Sequence, residues 1–113
     1  MKPRYVRTRD CVPMPELLRD FYNPPQFAYL KRVIAKDGFK TQYSVRGIWN
    51  RRKKKHEIFD GIHRWKVAEA LGIAKIPLID ETGMLTRQKA LAEGIKANVT
   101  HAPYDRSTIR LPQ

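Results

Sequence analysis

One stretch constrains this chain more than any other: Glu57 to Asp80, EIFDGIHRWKVAEALGIAKIPLID. It reads as strand, tight turn, helix and strand. Glu57, Ile58 and Phe59 lead into the turn pair Asp60-Gly61. Trp65, Ala68 and Leu71 then recur every three residues, which sets them on one face of a helix. Gly72 closes that helix, because glycine enters the left-handed conformation at least cost. Ile76-Pro77-Leu78-Ile79 follows as a short apolar run of strand type.

The turn carries the chemistry. The first N–H groups of a helix lack intrahelical partners, and the helix dipole is positive at that end. Gly61 lets a ligand approach the backbone closely, and Arg64 adds a planar cationic fork suited to phosphate oxygens. His63 adds a donor that can gain charge near neutral pH. The segment Gly61-Ile62-His63-Arg64 therefore reads as an anion pocket, most simply for a phosphate. The alternative is structural: Asp60 caps a helix and Arg64 is a solvated surface residue.

The charge points the same way. There are 23 Lys and Arg against 11 Asp and Glu, a net +12 on 113 residues. Such an excess favours a polyanionic partner, foremost nucleic acid. Five of these cations are consecutive: Arg51, Arg52, Lys53, Lys54 and Lys55. They lie between a strand over Thr41 to Trp49 and the strand that enters the Asp60 turn. The expected element is a β-hairpin with a mobile, basic tip that touches a nucleic-acid backbone. Trp49 near its base reads as core, with stacking on a nucleobase as the alternative.

Helices are expected over Glu16–Tyr22, over Pro25–Lys36 behind Asn23 as N-cap, and over Arg87–Ala97 behind Thr86 as N-cap. Phe27, Leu30, Val33 and Ile34 form the buried stripe of the second. Ala90, Leu91 and Ile95 are expected to face inward in the third, with Asn98 sharing their side. Residues 1–11 read as a basic arm or edge strand, 12–105 as the domain, and 106–113 as a tail. A lone cysteine, Cys11, leaves no internal disulfide and no Cys-based zinc site. No apolar run is long enough to span a bilayer, and no secretory signal opens the chain, so a cytoplasmic protein with no membrane partner is expected.

The order of the motifs resembles the ParB/sulfiredoxin-like superfamily over about Val12 to Asp105. Its members carry a strand, a Gly-x-x-Arg or Asp-Gly-His-His-Arg turn, a helix ending Leu-Gly, and Ile-Pro-hydrophobic. Here these are Asp60-Gly61-Ile62-His63-Arg64, Leu71-Gly72 and Ile76-Pro77-Leu78. A second family box matches Ala97-Asn98-Val99-Thr100-His101-Ala102. The resemblance implies a small single-domain α+β fold, a short mixed sheet with a basic β-hairpin and packed helices. It implies a nucleotide pocket in which Asn98 and His101 join Gly61, Ile62, His63 and Arg64. ATP, ADP or CTP with Mg²⁺ is the implied cofactor, and Asp60 is the best carboxylate left in this sequence to hold the metal. There are departures. Ile62 stands where sulfiredoxins carry the catalytic cysteine. It also stands where nucleotide-hydrolysing ParB proteins carry a glutamate, and Ala97 replaces a second one.

Three functions remain open on sequence grounds. The leading expectation is a ParB-like nucleic-acid-binding protein, for DNA before RNA, with a nucleotide pocket at the Asp60–Arg64 turn; it is either a plain DNA binder or a nuclease or NTPase that would use Asp60 and His63. The second is a nucleotide-dependent small-molecule kinase, with Glu16 as general base. The third is a non-catalytic adaptor of the same fold. A homodimer is left open. The helix-turn-helix reader that follows this domain in ParB partition proteins has no counterpart in the resemblance.

Overall fold

The computed structural model describes residues 2–100, and their side chains except at residues 19–21 and 98–100. In chain order the elements are β1 (Arg4–Arg7), β2 (Cys11–Pro13), α1 (Pro15–Phe21), α2 (Pro24–Asp37), β3 (Val45–Asn50), β4 (Lys55–Asp60), α3 (Ile62–Leu71), β5 (Lys75–Asp80) and α4 (Arg87–Thr100). Single 3-10 turns cover Thr8–Asp10 and Thr41–Tyr43. One five-stranded mixed sheet has the order β1-β5-β3-β4-β2. β3 and β4 form the antiparallel hairpin, β2 lies parallel on β4, β5 parallel on β3, and β1 antiparallel on β5.

β1 and β2 are the two edges of this sheet, yet only the turn Thr8–Asp10 joins them. The sheet must therefore curl until its edges meet, an extreme of the usual strand twist. α3 packs against that junction, where the Trp65 indole N–H donates to the Thr8 carbonyl at 3.4 Å. α2 packs on α3, and α4 lies along β4. Ile58 and Phe59 are adjacent on β4, point to opposite faces, and are both fully buried. Both faces of the central strands are thus covered. Asn23 and Thr86 cap α2 and α4 as expected, accepting from the N–H of Gln26 and Lys89. Gly72 adopts φ +69° and ends α3.

Several expectations are corrected. Of the arm and the edge strand offered for residues 1–11, the strand holds at Arg4–Arg7, while the second edge strand, Cys11–Pro13, was not expected. Thr41–Tyr43 is a 3-10 turn rather than the start of β3. Trp49 is 38% exposed and meets His56 edge-on at 4.8 Å, so it is no core residue. On α4 the buried positions are Ala90, Gly94 and Ala97, while Ile95 is exposed. The helix sits so close to β4 that only small residues fit between them. The expected tail, residues 106–113, lies outside the described residues.

Candidate functional site

β4 delivers its last residue, Asp60, to a sharp corner. Gly61 there has φ +93° and ψ 28°, the left-handed region, and α3 begins at the next residue. No side chain caps this helix, and its first turn holds no acidic residue. The first backbone bond of the turn runs from the Trp65 N–H to the Gly61 carbonyl at 2.9 Å. The N–H groups of Ile62, His63 and Arg64 precede it and are the helix's orphan donors.

Arg64 turns inward over this corner. Its Nη1 donates to the Ser44 carbonyl at 2.7 Å and its Nη2 to Asp60 Oδ1 at 3.2 Å. About a quarter of its side chain is exposed. Burial works against its charge while Asp60 supports it, and a guanidinium stays protonated in either case. A Cβ placed on Gly61 would fall 2.8 Å from Val45 Cγ1 and 2.9 Å from Arg64 Nη2. The glycine thus makes room for the guanidinium at the mouth of the helix.

The histidine beside it has a different role from the one expected. His63 is buried, and its Nε2 accepts the Asn23 N–H at 2.8 Å. Its ring stacks on Tyr22, with centroids 5.7 Å apart. Burial, helped by Lys66 and Arg64, pushes its pKa down to about 4. It is neutral at neutral pH, and the expectation of a charged phosphate donor or titrating catalytic group is corrected. It fixes the junction between α1 and α2 against α3. Ile62, 4% exposed, contributes only its backbone N–H.

Asp60 also faces a second arginine. Arg46 lies 3.6 Å from Asp60 Oδ2, 2.5 Å from Glu81 and 3.7 Å from Glu93, with its guanidinium 4.8 Å from the Phe59 ring. Three carboxylates converge there, and the guanidinium occupies the place a cation would take. No group of three metal-ligating side chains exists among the described residues. Asp60 therefore does not fit the role of a Mg²⁺ ligand, since both its oxygens are turned to arginines.

Glu16 sits elsewhere. Both its oxygens accept from Arg87, at 2.9 and 3.0 Å. Arg87 also binds the buried Glu57 at 2.9 and 3.3 Å. A carboxylate clamped by a guanidinium is a poor proton acceptor, so the kinase-base reading of Glu16 loses its geometric footing. Burial pushes the Glu57 carboxyl up, but hydrogen bonds from Arg87, Asn50 and Lys53 outweigh it and hold it below the usual range. Cys11 is buried, and burial with Asp10 beside it pushes the thiol up to about 12. It is no nucleophile.

The basic hairpin occupies the opposite end of β4, roughly 17 Å from Asp60 at 3.3 Å per residue. Its tip, Arg51 to Lys54, is exposed, with Lys54 at φ 56°. The tip is tethered. Lys53 reaches Glu57 at 3.2 Å, and the Lys55 ammonium donates to the Arg9 carbonyl. The side chains of Arg51, Arg52 and Lys54 have no partner among the described residues, although the Lys54 N–H donates to the Asn50 carbonyl at 2.8 Å. Of the second box, the Asn98 side chain and all of His101 lie outside the described residues. α4 nevertheless runs along β4, with Arg87 level with Glu57 and Gly94 against Phe59, so its C-terminal end is directed toward the Gly61 corner.

The residues that sequence reasoning missed are Ser44, Arg46, Glu57 and Arg87. A signal for the last existed. A cation in the first turn of a helix opposes the dipole, so Arg87 needed a carboxylate partner.

No family model matches the chain, and no curated protein matches it in sequence. Solved structures do. C-terminally truncated chromosome-partitioning protein ParB from Caulobacter crescentus, complexed with CTP-gamma-S, superposes with a TM-score of 0.70 at 19% identity over 88% of this chain. The same protein complexed to the centromeric parS site gives 0.66 at 18% identity, again over 88%. This chain spans about half the length of those ParB chains, 53% and 48%. Sulfiredoxin from Arabidopsis thaliana gives 0.61 at 16% identity, covering 84% of this chain and 98% of that one. Together with the curled mixed sheet and the glycine-to-arginine corner that opens α3, these likenesses give the chain a ParB/sulfiredoxin-like fold.

Proposed function

We propose that this protein binds the phosphates of a nucleotide at the Gly61–Arg64 corner and holds nucleic acid through its basic hairpin. The observation that carries the reading is the pairing of Gly61 with Arg64. An uncapped helix start offers the N–H groups of Ile62, His63 and Arg64, and a guanidinium is held across the same opening by Ser44 and Asp60. Backbone donors, a helix dipole and a fixed cation together suit a phosphate. The ParB relative in complex with CTP-gamma-S supports a nucleoside triphosphate as the ligand. The one in complex with parS supports DNA as the polymer.

Binding is better supported than catalysis. Among the described residues the corner offers no free carboxylate for a metal and no titrating histidine, and Glu16 is held by Arg87. The reading is therefore a nucleotide-responsive nucleic-acid binder in preference to a nuclease, an NTPase or a kinase. No described helix is long and apolar enough to cross a membrane.

A thermal-shift panel of ATP, ADP, CTP and short DNA tests both halves. A nucleotide present at a hundred times its Kd stabilises by about 2.7 kcal/mol, on the order of 10 °C for a domain of this size. Stabilisation by one nucleotide, absent in Arg64→Ala, supports the pocket. No shift with any nucleotide removes it.

A further inference from the structure

The basic hairpin does not end at its own tip. Lys55, at its base, hydrogen-bonds to the backbone of the Thr8–Asp10 turn, and beneath that contact lies a groove of about 710 Å³. Its floor is apolar: Cys11, Trp65, Ala68 and Ile73. Its rim carries Arg7, Arg9, Lys55 and Lys75, against the single acid Glu69. Arg7 is paired with Asp10 at 2.9 Å, while Arg9 and Lys75 are exposed and have no side-chain partner among the described residues. A line of cations therefore runs from Arg51, Arg52 and Lys54 through Lys55 and Arg9 to Lys75, with an apolar trough alongside.

We infer that this groove takes a single strand of nucleic acid led in from the hairpin. The inference rests on the nucleic-acid half of the proposed function and deepens it, by naming the strand state of the polymer. A duplex presents phosphates outward and keeps its bases stacked inside, so it has no use for an apolar trough. A single strand offers both an anionic backbone and the flat apolar faces of its bases. Cations beside an apolar floor match that pair of surfaces. The groove volume, within the range of small-ligand sites, accommodates one or two bases.

The test compares a labelled pyrimidine single strand with a duplex of the same length, by fluorescence anisotropy at fixed salt. Three variants are used: Arg9→Glu/Lys75→Glu, which reverses the exposed rim charges; Ala74→Trp, which fills the groove from an exposed position without changing charge; and Arg51→Ala/Arg52→Ala/Lys54→Ala in the hairpin. Each variant is checked for an unchanged melting temperature. The expected result is tighter binding of the single strand. The rim and filling variants should each lower single-strand affinity by about tenfold, equivalent to the loss of one stacked base or two phosphate contacts, with duplex affinity changed little. If the hairpin variant weakens both ligands while the groove variants change neither, the groove inference is overturned and the hairpin reading stands. If the hairpin variant also changes nothing, the nucleic-acid reading itself falls.

Discussion

The Nη2 atom of Arg64 lies 2.9 Å from where a β-carbon on Gly61 would stand, so the guanidinium and the glycine share one space. The two residues are inseparable in chemistry as well. The left-handed glycine starts α3 without a cap, and the arginine three residues on folds back to guard that start. Their neighbours fix the pose: Ser44 by its carbonyl, Asp60 by its carboxylate, Val45 by contact.

Close packing of α4 makes one substitution behave against its propensity. A Cβ on Gly94 would press on the Leu17 side chain and fall 2.5 Å from the Phe59 carbonyl oxygen. Gly→Ala in a helix ordinarily stabilises by about 1 kcal/mol. Gly94→Ala should instead destabilise by ~1–3 kcal/mol, because α4 must lift from β4. Urea unfolding followed by circular dichroism reads the sign directly.

His63 makes stability depend on pH. Its folded pKa of about 4 lies below the 6.5 of a free imidazole. Between those values the unfolded chain binds the extra proton, so stability falls as pH drops from 6.5 toward 4. The loss approaches 3 kcal/mol, at about 1.4 kcal/mol per pH unit. Burial shifts His56 in the same direction, so the measurement is the difference between the protein and His63→Gln. The variant's stability should fall less steeply over that interval.

Arg87 carries two carboxylates, one of them buried. Arg87→Ala leaves Glu57, 1% exposed, with Lys53 as its remaining charged partner. The expected cost is ~3 kcal/mol, the penalty of an under-compensated buried charge. In a Glu57→Gln background the same substitution should cost far less. A double-mutant cycle by thermal denaturation measures the coupling, and independent effects would contradict the network.

Neutralising the hairpin should change salt dependence as well as affinity. Arg51→Ala/Arg52→Ala/Lys54→Ala removes three exposed cations. The slope of log affinity against log salt should flatten by about 2 to 3. Lys53 and Lys55 are occupied by Glu57 and Arg9, so their removal should act on hairpin stability as well. Elution from heparin against a salt gradient gives a first reading.

Much of the fold was legible because it is written in local signals. The Asp60-Gly61 turn, the spacing of Trp65 and Ala68, the Gly72 stop and the caps at Asn23 and Thr86 each act within a few residues. The edge strands were harder. β1 and β2 are three or four residues long and contain or adjoin proline, and β1 carries Arg4 and Arg7 at exposed positions, which is how edge strands avoid mispairing. Ile95 misled because a helix that packs through Ala90, Gly94 and Ala97 hides its inner face under small side chains.

The site was half legible. Gly61 and Arg64 stand in one short motif, and their meeting follows from the start of a helix. The partners that set their chemistry come from elsewhere in the chain: Ser44, just before β3, and Arg46, on it, reach the corner only through the β3–β4 register, which shifts at Arg46–Gly47. His63 looked like a pH-active donor in sequence. Burial under Tyr22 and Asn23, contributed from forty residues earlier, made it a neutral acceptor instead.

The most direct test of the corner is titration calorimetry of CTP and ATP into the protein and into Arg64→Lys. Lysine keeps a positive charge but loses the planar fork that spans Ser44, Asp60 and a phosphate. The account predicts saturable binding of at least one of these nucleotides, weakened about tenfold or more in Arg64→Lys. Affinity equal in both proteins, or no heat from either nucleotide, would contradict it.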